Sequence, residues 1–321
     1  MESVTVIIPV FNTQKTLEKC FLSIQSQTWR YFEVLLIDDS STDNSLRICE
    51  EWASKDSRFH VLRNRSRIHG PSKARNLGLD AVTTKYVTFM DSDDWIEPYH
   101  LEYMMTEITQ QDVCAIQWTR SDQVVKHQNL KKIDINRKQY INKALGMKTV
   151  SGYLVNKVFN VNIINDNNIR LNEAIRSSED LLFTVQYLLY ISKGQVVLAP
   201  ASYHYIARDD SLTRLPSRSA KELFAELHTV NKIAEVLNSA GMHNCPSLKA
   251  HYVRTYYNIF TEVQKLANKQ KYGYLMKILR SKMWHGLLQN IISREFTLKS
   301  KIKVFLVIFA PNLHAKFIKA K

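Results

Sequence analysis

Two spacing patterns alternate through the first hundred residues, and that alternation narrows the fold more than any other feature. VTVIIPV (Val4–Val10) and FEVLLIDD (32–39) are nearly unbroken apolar runs, FHVLRN (59–64) is a shorter strand candidate, and KYVTFMD (85–91) is a fourth. Strands buried on both faces of a parallel sheet read this way. Between them lie stretches with helical spacing at 16–26, 44–54 and 72–81, with Ser40 or Ser41 and Ser72 as expected N-caps. Strand and helix in alternation predict a doubly wound α/β unit. Such sheets bind ligands at the carboxyl ends of their strands, where the strand order reverses. Asp38 and Asp39 close one strand, and Asp91, Asp93 and Asp94 follow another, so both acidic groups fall on that edge.

The pattern loosens after residue 101, with a helix following EPYHLEYMM, strand-like VCAIQW and a helix through SSEDLLFTVQYLLY. From residue 219 onward the spacing is helical. Three regions are therefore expected, at 1–100, 101–215 and 216–321. The net charge of +14 sits almost wholly in the last of them. Residues 265–321 carry thirteen Lys or Arg against Glu295 alone, while the other 264 residues hold 31 basic and 29 acidic side chains. An anionic partner would meet the C-terminal fifth of the chain. Cys20, Cys49, Cys114 and Cys245 show no CxxC spacing, which argues against a zinc site or disulfide framework and fits a reducing compartment. The start, MESVTVIIPVF, lacks the basic segment and longer apolar stretch of a secretory signal, so a cytoplasmic chain is expected.

The stretch YVTFMDSDDWIEP packs three carboxylates into four positions. Carboxylates that close raise one another's pKa unless a positive charge intervenes, and hard divalent cations prefer oxygen ligands. A solvated acidic turn capping the following helix explains the same spacing, so the motif alone leaves both readings open. Four segments in order, VTVIIPVFNTQKTLEKCFLSIQSQT, VLLIDDSSTDNSLRI, GPSKARNLGL and YVTFMDSDDW, resemble the nucleotide-sugar half of the inverting family 2 glycosyltransferases. The resemblance covers residues 3–100 and continues more thinly to about residue 213.

It implies a GT-A type fold, a doubly wound, mostly parallel sheet with flanking helices, here followed by a C-terminal helical region. It further implies a metal-dependent transfer from a nucleotide-sugar, a UDP-sugar, to a glycan or lipid-linked acceptor in surface-polysaccharide synthesis, with Mn2+ or Mg2+ as cofactor. Asp93 would coordinate the metal and Asp91 would contact the ribose side of the donor. Asp39 corresponds to the base-recognising acid, with Pro9, Phe11 and Asn12 flanking the base, and Arg75 to a nucleotide-pocket residue. For Asp38 and Asp43 ordinary turn and cap chemistry is the expectation. RSSEDLLF carries the catalytic base over to Asp180, with Glu179 as the competing choice; a helix N-terminus favours acids there in any case. Lys157 of GYLVNKVFN would shape the acceptor side. In YHYIARDDSLTR, Arg208 and Ser211 would contact phosphate and His204 the metal. Ile206 stands where many relatives carry arginine.

VFLVIFA (304–310), ended by Pro311, is too short to span a bilayer, which takes about 20 helical residues. Flanked by lysines, it suits a helix lying at an anionic membrane surface, placing the chain at the inner face of the cell membrane. A packed terminal helix with a solvated basic face is the other reading of that segment. No nucleic-acid-binding motif accompanies the charge, so no nucleic-acid partner is expected. Two other functions remain as alternatives, a nucleotidyltransferase and a catalytically degenerate sugar-binding scaffold. Against the former, PVFNTQKT has no glycine where a phosphate loop would follow the first strand. A glycosidase uses paired carboxylates but needs no nucleotide pocket.

Overall fold

The apolar runs become strands because each can be buried on both faces. β1 (Val4–Val10) pairs in parallel with β2 (Phe32–Asp38) on one side and with β4 (Tyr86–Phe89) on the other, while β3 (Phe59–Arg63) extends the sheet beyond β2. Helices α1 (Leu17–Gln25), α2 (Ser45–Lys55) and α3 (Pro71–Ala81) make the crossovers. The computed structural model describes residues 2–124, 131–146, 150–198, 201–206, 220–265, 272–293, 296–311 and 313–314, the side chains of 220–223 excepted.

The main sheet has eight strands in the order β3-β2-β1-β4-β9-β6-β10-β8. Its second half comprises β6 (Val113–Ile116), β8 (Lys131–Ile135), β9 (Lys157–Asn160) and β10 (Gly194–Leu198), with β9 antiparallel to both of its neighbours. β5 (Trp95–Ile96), β7 (Trp118–Thr119) and β11 (Tyr203–His204) form a small sheet of order β5-β11-β7. In chain order, α4 (His100–Ile108), α5 (Arg137–Ala144), α6 (Val161–Asp166) and α7 (Glu179–Leu188) lie among the later strands, and α8 (Ala220–Ser239), α9 (Pro246–Lys265), α10 (Gly273–His285), α11 (Leu287–Ile292) and α12 (Leu298–Phe309) follow them.

The strand order reverses beside β1: the chain proceeds outward through β2 and β3, then returns through α3 to place β4 on β1's opposite edge. The carboxyl ends of β1, β2 and β4 therefore meet. That is where a doubly wound sheet binds its ligand.

Two helix starts differ from the sequence expectation. The N-caps are Asn44 and Gly70, neither of them with a side-chain cap bond, instead of Ser40 or Ser41 and Ser72. Ser40 and Ser41 lie in the preceding turn, where the Ser41 amide donates to Asp38 Oδ1. Gly70 takes φ 128°, a value that favours glycine, and Pro71 then sits at the first helical position, where a missing N–H costs nothing.

The chain divides into two compact units. One comprises Met1–Tyr140, Tyr153–Glu173 and Gln186–Arg208 and contains both sheets; the other comprises Ile141–Gly152, Ala174–Val185 and Asp209–Lys321. The second has its own apolar core, in which Val253, Phe260 and Val263 of α9 meet Leu279 and Met283 of α10 and Val304, Val307 and Ile308 of α12.

Candidate active site

The loop after β1 and the loop after β2 are laced together. Asn12 takes φ 51° and its Oδ1 accepts from the Thr42 amide at 2.8 Å, while the Thr13 amide donates to Ser45 Oγ at 2.9 Å. Asp43 accepts from the amides of Ser45 and Gln14, and Asp38 from that of Ser41, so both serve turn and cap geometry. This lacing leaves the Phe11 ring 55% exposed at the end of β1. Pro9 lies inside β1, paired with Ile37.

Asp39 follows β2 and is buried. Its Oδ2 accepts from the Gly70 amide and its Oδ1 from Asn64 Nδ2, both at 2.6 Å, with His69 Nδ1 at 3.4 Å. These partners fix the orientation of its carboxyl group. The Gly70 bond also joins Asp39 to the start of α3.

Five residues further along α3, buried Arg75 donates from Nη2 to Asp91 Oδ1 at 2.7 Å. Asp91, Asp93 and Asp94 present carboxylate oxygens within 4.8 Å of one another, forming among the described residues the one group of three or more His, Cys, Asp or Glu spaced for a cation. Asp91 and Asp93 are half-buried and Asp94 is buried. Asp94 is held from β11 and the residues just after it: the Tyr203 hydroxyl donates to its Oδ2 at 2.5 Å and the Ile206 amide to its Oδ1 at 2.7 Å. The same Tyr203 oxygen accepts from the Asp91 amide at 3.2 Å. Burial and then the Asp91 charge push the Asp94 carboxyl up to about 8, with Asp93 adding a smaller push and the Tyr203 and Ile206 hydrogen bonds pulling the other way. The trio fits a hard divalent cation: every donor is a carboxylate oxygen, and its mutual repulsion is what such a cation relieves.

His204 is placed elsewhere. Its Nε2 lies 2.9 Å from Glu97 Oε1, its Nδ1 lies 2.7 Å from the Ser121 carbonyl, and its ring stacks on Trp95 at 3.6 Å. Both nitrogens are engaged inside the small sheet, and His204 is not among the three residues spaced for a cation. Lys157 is wholly buried, its Nζ donating to the Tyr153 carbonyl and Asn156 Oδ1. Arg208 and Ser211 lie outside the described residues.

Asp180 and Glu179 belong to the second unit, half-buried in the first turn of α7. The turn is fixed locally. Ser178 takes φ 60°, the Ser177 carbonyl accepts from Thr229 Oγ1 at 2.7 Å, and Thr184 Oγ1 donates to the Gly152 carbonyl at 3.0 Å. A Cβ on Gly152 would stand 2.9 Å from the Leu181 backbone, so only glycine lets that segment approach the helix this closely.

The residues that sequence reasoning passed over are Tyr203, Asn64 and Gly70. Each acts on an acid distant in the chain, Tyr203 on one 109 positions away. No local signal marks Tyr203, because β11 is only two residues long.

The chain matches the model of Glycosyl transferase family 2 over residues 5–166. It belongs to that family. The matched segment holds β1 to β4, the carboxylate trio and Arg75. Among relatives, Glycosyltransferase GlyA of Streptococcus pneumoniae is 40% identical over 109 residues, a match spanning 34% of this chain and 15% of GlyA. The GalNAc(5)-diNAcBac-PP-undecaprenol beta-1,3-glucosyltransferase of Campylobacter jejuni is 27% identical over 88% of this chain and 90% of its own length. Among solved structures, S. aureus TarS 1–349 in complex with UDP-GlcNAc superposes with a TM-score of 0.61, at 20% identity, over 94% of this chain and 90% of that one. The fold is thus GT-A.

Proposed function

We propose that the chain is a metal-dependent, inverting glycosyltransferase that moves a sugar from a UDP-sugar to a glycan or lipid-linked acceptor in surface-polysaccharide synthesis, working at the inner face of a membrane. The observation that carries this reading is the Asp91–Asp93–Asp94 trio, with Arg75 on Asp91, at the sheet edge that also bears Asp39 and Phe11. A nucleotide pocket and a cation site on one edge suit a nucleotide diphosphate leaving group. TarS, solved with UDP-GlcNAc and with UDP, is a protein of this fold carrying such a donor, and the Campylobacter relative's name gives it a diphospho-undecaprenol-linked acceptor.

In this reading Phe11 offers its exposed ring to the base, with Pro9 and Asn12 shaping the loop behind it. Asp39, oriented by Gly70 and Asn64, accepts from the imide N–H of uracil, which selects pyrimidine donors. Arg75 fixes Asp91 toward the ribose side of the donor. Asp93, with Asp91 beside it, would hold Mn2+ or Mg2+. When bound, the cation supplies charge neutralisation for the departing diphosphate. Arg208 and Ser211 contact phosphate. The base is assigned from the family resemblance to Asp180, Glu179 being the competing choice. It takes the proton from the acceptor hydroxyl as that oxygen attacks the anomeric carbon from the face opposite the leaving group, which inverts the centre.

The test is calorimetric titration with UDP, GDP and dTDP, each with Mn2+ and with EDTA, on the wild type and on Asp93→Ala. The expected result is UDP binding that requires the metal and is lost in the variant. Absence of nucleotide binding under every condition would return the trio to a structural turn and leave the scaffold alternative in its place.

A further inference from the structure

The C-terminal helices carry a second apolar face that is exposed among the described residues. In α12, Val304, Val307 and Ile308 enter the core of the second unit. Leu298, Ile302, Phe305 and Phe309 recur at intervals of three or four residues, so they line a different face of the helix. Leu298 is 72% exposed and the other three about half exposed. The face continues onto the neighbouring helices. Trp284 of α10, exposed, meets the Phe309 ring at 5.4 Å, and Phe309 meets Phe305 at 4.4 Å. α11 adds exposed Leu288, Ile291 and Ile292, and Lys301 Nζ donates to the Ile291 carbonyl at 2.7 Å, tying α11 to α12. Contiguous exposed apolar patches larger than a few hundred Å² are rare on soluble monomers and mark interaction surfaces.

The charge around this face decides its occupant. Lys277, Lys282 and Lys299 are exposed and Lys303 half-exposed on the same helices, and between residues 273 and 309 Glu295 is the single acid in the sequence. A second copy docking through this face would bring two strongly basic surfaces together. A nucleic acid would satisfy the lysines but leave the aliphatic side chains in water. An anionic bilayer surface takes both, with rings and aliphatic groups at the acyl boundary and lysines among the headgroups. No helix is long and apolar enough to cross a membrane among the described residues. We propose that the face formed by Trp284, Phe305, Phe309, Ile302 and the exposed side of α11 docks the protein flat onto an anionic phospholipid surface. This rests on the reading of a membrane-bound acceptor given above and names the surface that brings the protein to it.

The experiment is flotation of the full chain with vesicles of phosphatidylcholine alone or with about 30% phosphatidylglycerol, at low and high salt. It is repeated on Ile302→Ser/Phe305→Ser/Phe309→Ser and on Lys282→Glu/Lys299→Glu. The wild type is expected to float with the anionic vesicles and less at high salt. The apolar variant should lose about ten-fold or more in partitioning, and the charge variant should lose its preference for anionic lipid. Circular dichroism melts and UDP titration, unchanged in both variants, exclude a folding defect. An apolar variant that floats like the wild type overturns the proposal. So does a wild type that ignores vesicles but forms a dimer, or retains nucleic acid, in a manner the same variant abolishes. UDP binding that persists while vesicle binding fails removes this inference alone, whereas vesicle binding without UDP binding removes the donor reading and leaves this one.

Discussion

Tyr203 organises two of the three clustered acids through one oxygen, accepting from the Asp91 amide and donating to Asp94. Removing only that oxygen isolates its role, because Tyr203→Phe keeps the ring and therefore the packing. An ordinary hydrogen bond contributes about 0.5–1.5 kcal/mol, so metal-dependent UDP affinity should fall about two- to ten-fold. The melting temperature should move by only a few degrees. Calorimetry and a thermal melt on the same sample check both. Unchanged affinity would mean that the turn after β4 organises the acids without Tyr203. The histidine next to it attracts attention as a metal ligand because of its residue type. The strand alternation instead turns it into the small sheet, onto Glu97 and Trp95. Residue type suggested the ligand, and the face decided which residue reaches the site.

At the scale of elements, α3 serves the site by lying close to β1. Arg75 and Gly78 are three residues apart and share a helix face; one reaches Asp91, and the other lets the helix approach the strand. A Cβ on Gly78 would stand 2.6 Å from Cγ2 of fully buried Ile7, in the middle of β1. Alanine gains about 1 kcal/mol of helix propensity, but overpacking a tight core costs about 1–3 kcal/mol, and Ile7 is branched where the clash falls. Gly78→Ala should therefore lower the melting temperature and weaken UDP binding together, through displacement of Arg75. A stabilised variant with intact binding would show that the sheet yields there. Elements of this part were legible because parallel strands are apolar on both faces, and β1 to β4 agree with their apolar runs to within two residues at each end. β5, β7 and β11 were not. Strands of two residues carry no periodicity, and their pairing joins Trp95 to His204 across more than a hundred positions. The acids of the site were legible as local clusters. Their partners Asn64, Gly70 and Tyr203 are set by how strands and loops converge, which no local window contains.

At the scale of the whole molecule, each compact unit buries a histidine and holds it neutral. In the first, His100 lies within the fold with its Nδ1 3.0 Å from Ser202 Oγ. Burial, aided by the charge of nearby His204 and opposed by the Ser202 contact, lowers its pKa to about 3. In the second, burial and then the charge of Arg254 lower His251, whose Nδ1 lies 2.8 Å from the Leu145 carbonyl. A histidine whose folded pKa is depressed binds its proton more readily in the unfolded chain. Its cost is therefore nil above about pH 6.5 and grows as pH falls from there toward the folded value. For His100 this amounts to about 2 kcal/mol at pH 5. Asp94, raised to about 8, acts in the opposite sense, weakening the fold as pH rises from 3.8. Asp56, lowered to about 2 by its hydrogen bond from Arg58, matters only below the ordinary carboxylate value of 3.8. A single pH profile mixes the effects of all these groups, so the informative quantity is the difference between the wild type and His100→Gln, in which the other groups are shared. Between pH 7.5 and 5 the wild type should lose about 2 kcal/mol more than the variant, read by urea unfolding at each pH. Parallel profiles would show that His100 takes up a proton in the folded state as easily as in water, and burial would then not be what keeps it neutral.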